Sequence, residues 1–144
     1  EGGDIRGGQS AVLVISGRPG DPPWRRELDV RVDDHPAPLD ELERLVGLQR
    51  GFDALDRVEE RAAAADRAGV VVAGEEATAL APGDAQVLVW RAVALARVGL
   101  IEEARGLLAA AGAANPRWPE FLRRFAASGA QPDLVEPARR LLDE

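Results

Sequence analysis

The sequence predicts an α+β chain, two β-strands followed by a mostly helical remainder, and three observations carry that expectation. "AVLVI" (Ala11 to Ile15) is an unbroken apolar run rich in β-branched residues. "ELDVRVD" (Glu27 to Asp33) alternates apolar with charged positions. From Pro38 onward the apolar residues recur at three- and four-residue steps, the period of a helix with one buried face.

The first strand is expected at about residues 10–16. Polar Gln9 and Ser10 precede it and "SGRPGDPP" follows, and an apolar run of this length fits a strand buried on both faces. The second is expected at about 27–33, with Leu28, Val30 and Val32 on the buried face and Asp29, Arg31 and Asp33 on the other. Between them, Gly17 to Pro23 holds three prolines and two glycines, a loop suited to antiparallel neighbours. Two strands cannot cover both faces of the first. Further sheet is expected from residues upstream of Glu1 or from a partner.

A helix is expected from about residue 38, with Pro38 at its first position and Asp40 and Glu41 where the helix dipole favours acids. Leu39, Leu42, Leu45, Val46 and Phe52 form its apolar stripe, and Gly47 and Gly51 predict a bend. "DALDRVEERAAAADRAG" resumes the pattern through Leu55, Val58 and Ala62, and Gly69 is the expected stop.

The second half carries a repeat-like spacing. Pro82 and Pro116 each open a helix, and Asp84 and Asn115 are placed to cap them. Between them Ala92, Gly99, Ala104, Leu108, Ala111 and Pro116 fall at the small and apolar positions of a tetratricopeptide unit. Small residues at 92 and 104 let two antiparallel helices approach closely, and Gly99 makes the turn. Upstream, Val70 and Gly74 miss the pattern, so one helical hairpin is expected, not an array. Its bare apolar face must pack on the preceding helix and on "NPRWPEFLRRF".

Composition narrows the function. The chain is acidic, with a net charge of −7, and all its basic residues are Arg; nucleic acid and anionic lipid would need a basic face instead. It has no Cys, so thiolate chemistry and disulfides are excluded. No apolar run has the length of a membrane span, and no signal peptide is legible, so a cytoplasmic location is favoured. The chain has no Met and begins with Glu1, as expected of a piece of a longer protein.

Three groups are candidates for chemistry. Asp33, Asp34 and His35 are the weak catalytic candidates. A metal would need further ligands, because successive strand residues point to opposite faces, and His35 is the chain's one histidine. Their structural use is a strand-to-helix junction in which Asp34 or His35 caps the helix and Asp33 pairs with an arginine. "GGDIRGGQS" (Gly2 to Ser10) is glycine-rich but precedes a strand, the reverse of a phosphate loop. Trp24, in a loop, is the weak ligand-binding candidate; Trp90 and Trp118 are expected in the core. No metal site and no cofactor are expected.

"GDIRGGQSAVLVI" followed by "LDVRVDDHPAPLDELERLV" resembles the closing part of a bacterial family catalogued as domain of unknown function 1028. Its members are similar to N-terminal-nucleophile (Ntn) hydrolases of the four-layer αββα fold. "VLVWRAVALARVGLIEEARGLLAAAGAANPRWPEFLRRFAASGAQPD" resembles the small helical domain often appended to that family, labelled peptidoglycan-binding. The resemblance implies a two-strand remnant of the sandwich within 1–68 and a helical, tetratricopeptide-like domain over 69–144. It also implies a homo-oligomeric parent whose upstream part completes the sheet. In such hydrolases the nucleophile is a leading Thr, Ser or Cys whose α-amine is the base. This chain begins with Glu1, so that residue maps onto no position here. The expected function is therefore a non-catalytic C-terminal fragment of an amidohydrolase carrying a binding domain. The alternative is a tetratricopeptide-like module that binds protein.

Overall fold

A computed structural model of the chain describes residues 9–16 and 26–142. The order is β1 (Gln9–Ser16), β2 (Arg26–His35), α1 (Pro38–Ala63), α2 (Arg67–Leu80), α3 (Ala85–Arg97), α4 (Ile101–Ala114), α5 (Arg117–Ser128) and α6 (Pro132–Leu142). The described chain is thus mostly helical with one small antiparallel sheet, compatible with the α+β class. It divides after Gln49 into two compact units, Glu1–Gln49 and Arg50–Glu144. Residues 50–68, grouped with the strands on the sequence, fall in the second.

In the first unit β1 and β2 pair antiparallel, with Leu13 opposite Val30 and Ala11 opposite Val32. These four share one face, and Val32 is buried. On the other face Val12 and Val14 stand opposite Arg31 and Asp29. They are 50% and 43% exposed, so among the described residues only one face of β1 is covered. A two-stranded sheet has only one face with apolar residues from both strands. At the helix start Pro38, Asp40 and Glu41 take the expected places. Leu42 is buried, but Leu39, placed in the apolar stripe, is 71% exposed.

The second unit is built around α3. Val87, Leu88, Val89 and every residue from Ala92 to Ala96 are buried, so most of this helix faces core and it is central. It packs against α2, α4, α5 and α6. Val58 of α1 joins the same core, with Val70 of α2, Leu122 of α5 and Leu141 of α6. Much of this core is alanine: Ala73, Ala92, Ala96, Ala104 and Ala111 are all buried, and such small side chains let helix backbones come close. The α3–α4 hairpin turns at Gly99, whose φ of 84° lies in the left-handed region that glycine enters without strain.

Helix ends follow local chemistry. The Asp84 carboxylate accepts the Val87 N–H at 3.0 Å and caps α3 as expected. Asn115 ends α4, and its side-chain oxygen accepts the Arg117 N–H at 3.1 Å. The expected stop at Gly69 is corrected. α1 ends at Ala63, Ala65 takes a left-handed φ of 55°, and Asp66 caps α2 by accepting the Gly69 N–H at 2.9 Å. Gly69 lies in the first turn of the next helix. α1 also runs unbroken through Gly47 and Gly51. Gly51 is buried where a Cβ would come within 2.9 Å of the Ala81 side chain, so its lack of a side chain serves the close approach of the Ala81 segment to α1.

Candidate functional site

The Asp33-Asp34-His35 segment is a β-bulge that runs into a helix cap. Gln9 pairs with His35 and Ala11 with Val32, so β2 carries one residue more than β1 across this step. Asp34 absorbs the irregularity with φ at 50°, a conformation aspartate tolerates better than most residues. The strand thereby extends to His35 and does not end at Asp33. Two residues on, the Ala37 N–H donates to His35 Nδ1 at 3.0 Å. A backbone N–H can only donate, so Nδ1 is the acceptor and a neutral ring carries its proton on Nε2. Ala37 immediately precedes α1 and its carbonyl accepts the Glu41 N–H at 3.2 Å, so His35 satisfies the donor of the capping residue itself.

The carboxylates do not converge on that imidazole. Asp33 and Asp34 are both exposed, and the expected Asp33–arginine pair does not form with any described residue. Glu41, one turn into α1, is engaged instead by Arg44, whose Nη2 lies 2.6 Å from its carboxylate. Those hydrogen bonds hold the Glu41 carboxyl below the usual carboxylate range. Among the described residues no group of three or more His, Cys, Asp or Glu side chains is arranged to hold a metal ion. Trp24 and most of Gly2–Ser10 lie outside the described residues.

In the helical unit, four rings converge out of the chain's three Trp and three Phe. Trp118, Phe121 and Phe125 line one face of α5, and Trp90 comes from α3. Phe121 meets Trp118 edge-on at 5.3 Å and Trp90 at 6.3 Å, while Trp90 meets Phe125 at 5.7 Å. Edge-to-face pairs of this kind are each worth about 0.5–1.5 kcal/mol beyond area burial. Trp90 and Trp118 are largely buried and pack against the core, as the sequence led us to expect, while Phe121 is 43% exposed. The neighbouring Leu122 is fully buried, because one residue turns a helix by about 100°. The i, i+3, i+7 spacing of Trp118, Phe121 and Phe125 was the available sign of a separate aromatic face.

Trp90 also walls a groove of about 230 Å³ with Leu55 and Val58 of α1, Val93 of α3 and Leu134 of α6. Asp56 and Glu59 lie on its lining, and Glu59 accepts from Arg97 Nη1 at 2.5 Å. Aromatic surface and groove thus share one tryptophan.

These features define a mostly helical α+β protein whose helical unit presents an aromatic surface beside an apolar groove. No family model, no curated protein and no solved structure matches the chain. Among the described residues no helix is long and apolar enough to cross a membrane.

Proposed function

We propose that this chain is the non-catalytic C-terminal part of an Ntn-type amidohydrolase and that its helical unit is a binding module. Peptidoglycan is the ligand implied by the resemblance of its second half to an appended peptidoglycan-binding domain. The observation that carries the binding reading is the exposed Phe121 set among Trp90, Trp118 and Phe125. Phe121 is the exposed ring of a cluster whose other three members are largely buried beneath it, and a supported aromatic of this kind can supply stacking area to a sugar or an anchor to a peptide. The upstream part of the same protein would supply the sheet that covers Val12 and Val14, and the parent would be a homo-oligomer.

A second reading, a tetratricopeptide-like module for protein partners with no enzymatic role, is favoured by the α3–α4 hairpin and its Gly99 turn. Co-sedimentation with purified peptidoglycan sacculi separates the two. The chain should sediment with sacculi, and Phe121→Ala should lose most of that retention with an unchanged circular dichroism spectrum. Absence of retention, or retention indifferent to Phe121, would leave the protein-binding reading. The chain by itself should release no product in an amidase screen. Turnover abolished by a point mutation within it would overturn the non-catalytic assignment.

A further inference from the structure

Arg91 of α3 differs from the paired arginines of the helical unit. Arg57, Arg61 and Arg97 reach Glu76, Asp66 and Glu59 at 2.8, 3.2 and 2.5 Å. Arg91 makes no ion pair with a described residue. Its Nη1 donates to Thr78 Oγ1 at 3.1 Å, and its Nε is buried against α2 without an acceptor, so the remaining guanidinium N–H groups are the ones a ligand in the adjoining cavity could meet. The Thr78 hydroxyl is itself committed, donating to the Gly74 carbonyl at 3.1 Å.

The arginine lies against Gly74 of α2. A Cβ at that position would stand 2.7 Å from Arg91 Nε and 3.0 Å from its Cγ and Cδ, so any larger residue would displace the arginine side chain from this position. Burial pushes the guanidinium pKa below the ordinary arginine value, opposed by the charge of Glu75, yet a guanidinium stays protonated at any physiological pH. A half-buried cation whose donors are not filled by a carboxylate pays desolvation without full return, and an anion in reach would restore it.

There is room for one. Arg91 lines a cavity of about 540 Å³ with Val71, Leu95 and Leu100 as apolar wall. That size is usual for small-molecule sites. The charged part of the lining is balanced, Arg67 and Arg91 against Glu75 and Glu103. Two carboxylates disfavour a phosphate-rich ligand, whereas a molecule bearing one charge of each sign finds a partner for both.

We propose that this cavity binds a small zwitterion of the amino-acid type. The carboxylate sits on Arg91, the ammonium faces Glu75 or Glu103, and an apolar side chain lies on Val71, Leu95 and Leu100. The site is separate from the aromatic surface and does not depend on the function proposed for it.

Leucine is the probe, titrated into the 144-residue chain and followed by amide chemical shifts and calorimetry up to millimolar concentration. Saturable binding is expected, with shifts at Val71, Arg91 and Leu100. Leucinamide lacks the carboxylate and N-acetyl-leucine lacks the ammonium, and each should bind about tenfold more weakly or worse. Arg91→Lys keeps the charge but removes the planar fork, and it should weaken leucine by about tenfold. If that variant fails to fold, Glu103→Gln at the exposed end of α4 serves instead. It and Glu75→Gln are tested in parallel, and at least one of them should weaken leucine while leaving N-acetyl-leucine unchanged; indifference of both overturns the proposal. No saturable leucine binding overturns the proposal. So does equal binding of leucinamide, or acetate binding as well as leucine (an adventitious ion only), or indifference of a folded Arg91→Lys.

Discussion

Replacing Ala104 with leucine tests whether α3 and α4 are held together by close backbone approach. Ala104 and Ala92 have no exposed surface, and both lie in the core centred on α3. Leucine adds three carbons. With free space beside residue 104, burying them would stabilise the fold by roughly 0.8 kcal/mol per carbon, about 2.4 kcal/mol in all. In a closed helix contact the same atoms force the helices apart, and overpacking costs about 1–3 kcal/mol. The sign of the change therefore decides between the two. Urea unfolding followed at the helical circular dichroism band reads it directly. A slope of about 1–3 kcal/mol/M turns the expected loss into a midpoint lowered by roughly 1 M. Ala109→Leu, at an exposed position on the same helix, is the control and should stay within about 0.5 kcal/mol of the wild type. A midpoint for Ala104→Leu equal to or above that of the control would refute the close-approach account of this hairpin.

Other outcomes follow from the caps and from the bulge. Asp84→Ala leaves the Val87 N–H without its carboxylate and should cost about 1 kcal/mol; an unchanged urea midpoint would remove the cap from the account of α3. His35→Ala deletes the acceptor for Ala37 and should lower stability by about 0.5–1.5 kcal/mol. Elemental analysis of protein purified without chelator should find no stoichiometric metal in either form, and zinc or manganese lost with His35 would overturn the junction reading. Asp34→Gly should be neutral or better, whereas Asp34→Val should cost about 1–2 kcal/mol, because only the second is strained at a positive φ. Equal thermal midpoints for the two would count against the bulge. Glu41 has a depressed carboxyl pKa in the folded chain. Its stabilising contribution is therefore present above the ordinary carboxylate value and disappears as pH falls through the depressed one. Glu41→Gln should accordingly weaken the acid limb of the pH–stability curve, and an identical limb in the variant would contradict the Arg44 pairing.

What could be read in advance was what short stretches of sequence determine by themselves. The apolar run at Ala11–Ile15, the alternation from Glu27, Pro38 with its acids, Asp84 and Gly99 each act through bonds within a few residues, and the elements begin or turn where those residues stand. α6 lies within the stretch expected to be helical, although Pro137 sits inside it. Leu134, Val135, Ala138 and Leu141 keep helical spacing around it, and Pro137 itself is buried, so packing outweighs the one backbone donor it lacks. The break at Ala63 was less legible. "RAAAA" is a run of strong helix formers, Asp66 was the one local sign of a new helix start, and the turn is made by an alanine in the left-handed region that local propensity does not favour. The chain leaves α1 there while Val58 and Ala62 on one side and Val70 and Ala73 on the other remain in a single core.

The candidate sites were harder to read for a related reason: recognition depends on neighbours that sequence spacing does not announce. His35 could be read as a cap because its partner, Ala37, is two residues away. Trp90 could be recognised as a large ring at a helical position. That it meets Phe121 and Phe125 follows from α3 packing against α5. Arg91 lies still further from any pattern. Its setting requires α2 to present a glycine at position 74 and a hydroxyl one turn later, and Gly74 had registered on the sequence only as a mismatch to a helical repeat. The residue that fails the repeat is the one that makes space for the guanidinium. A departure from pattern at a buried position is thus better read as a demand from a neighbouring element than as noise.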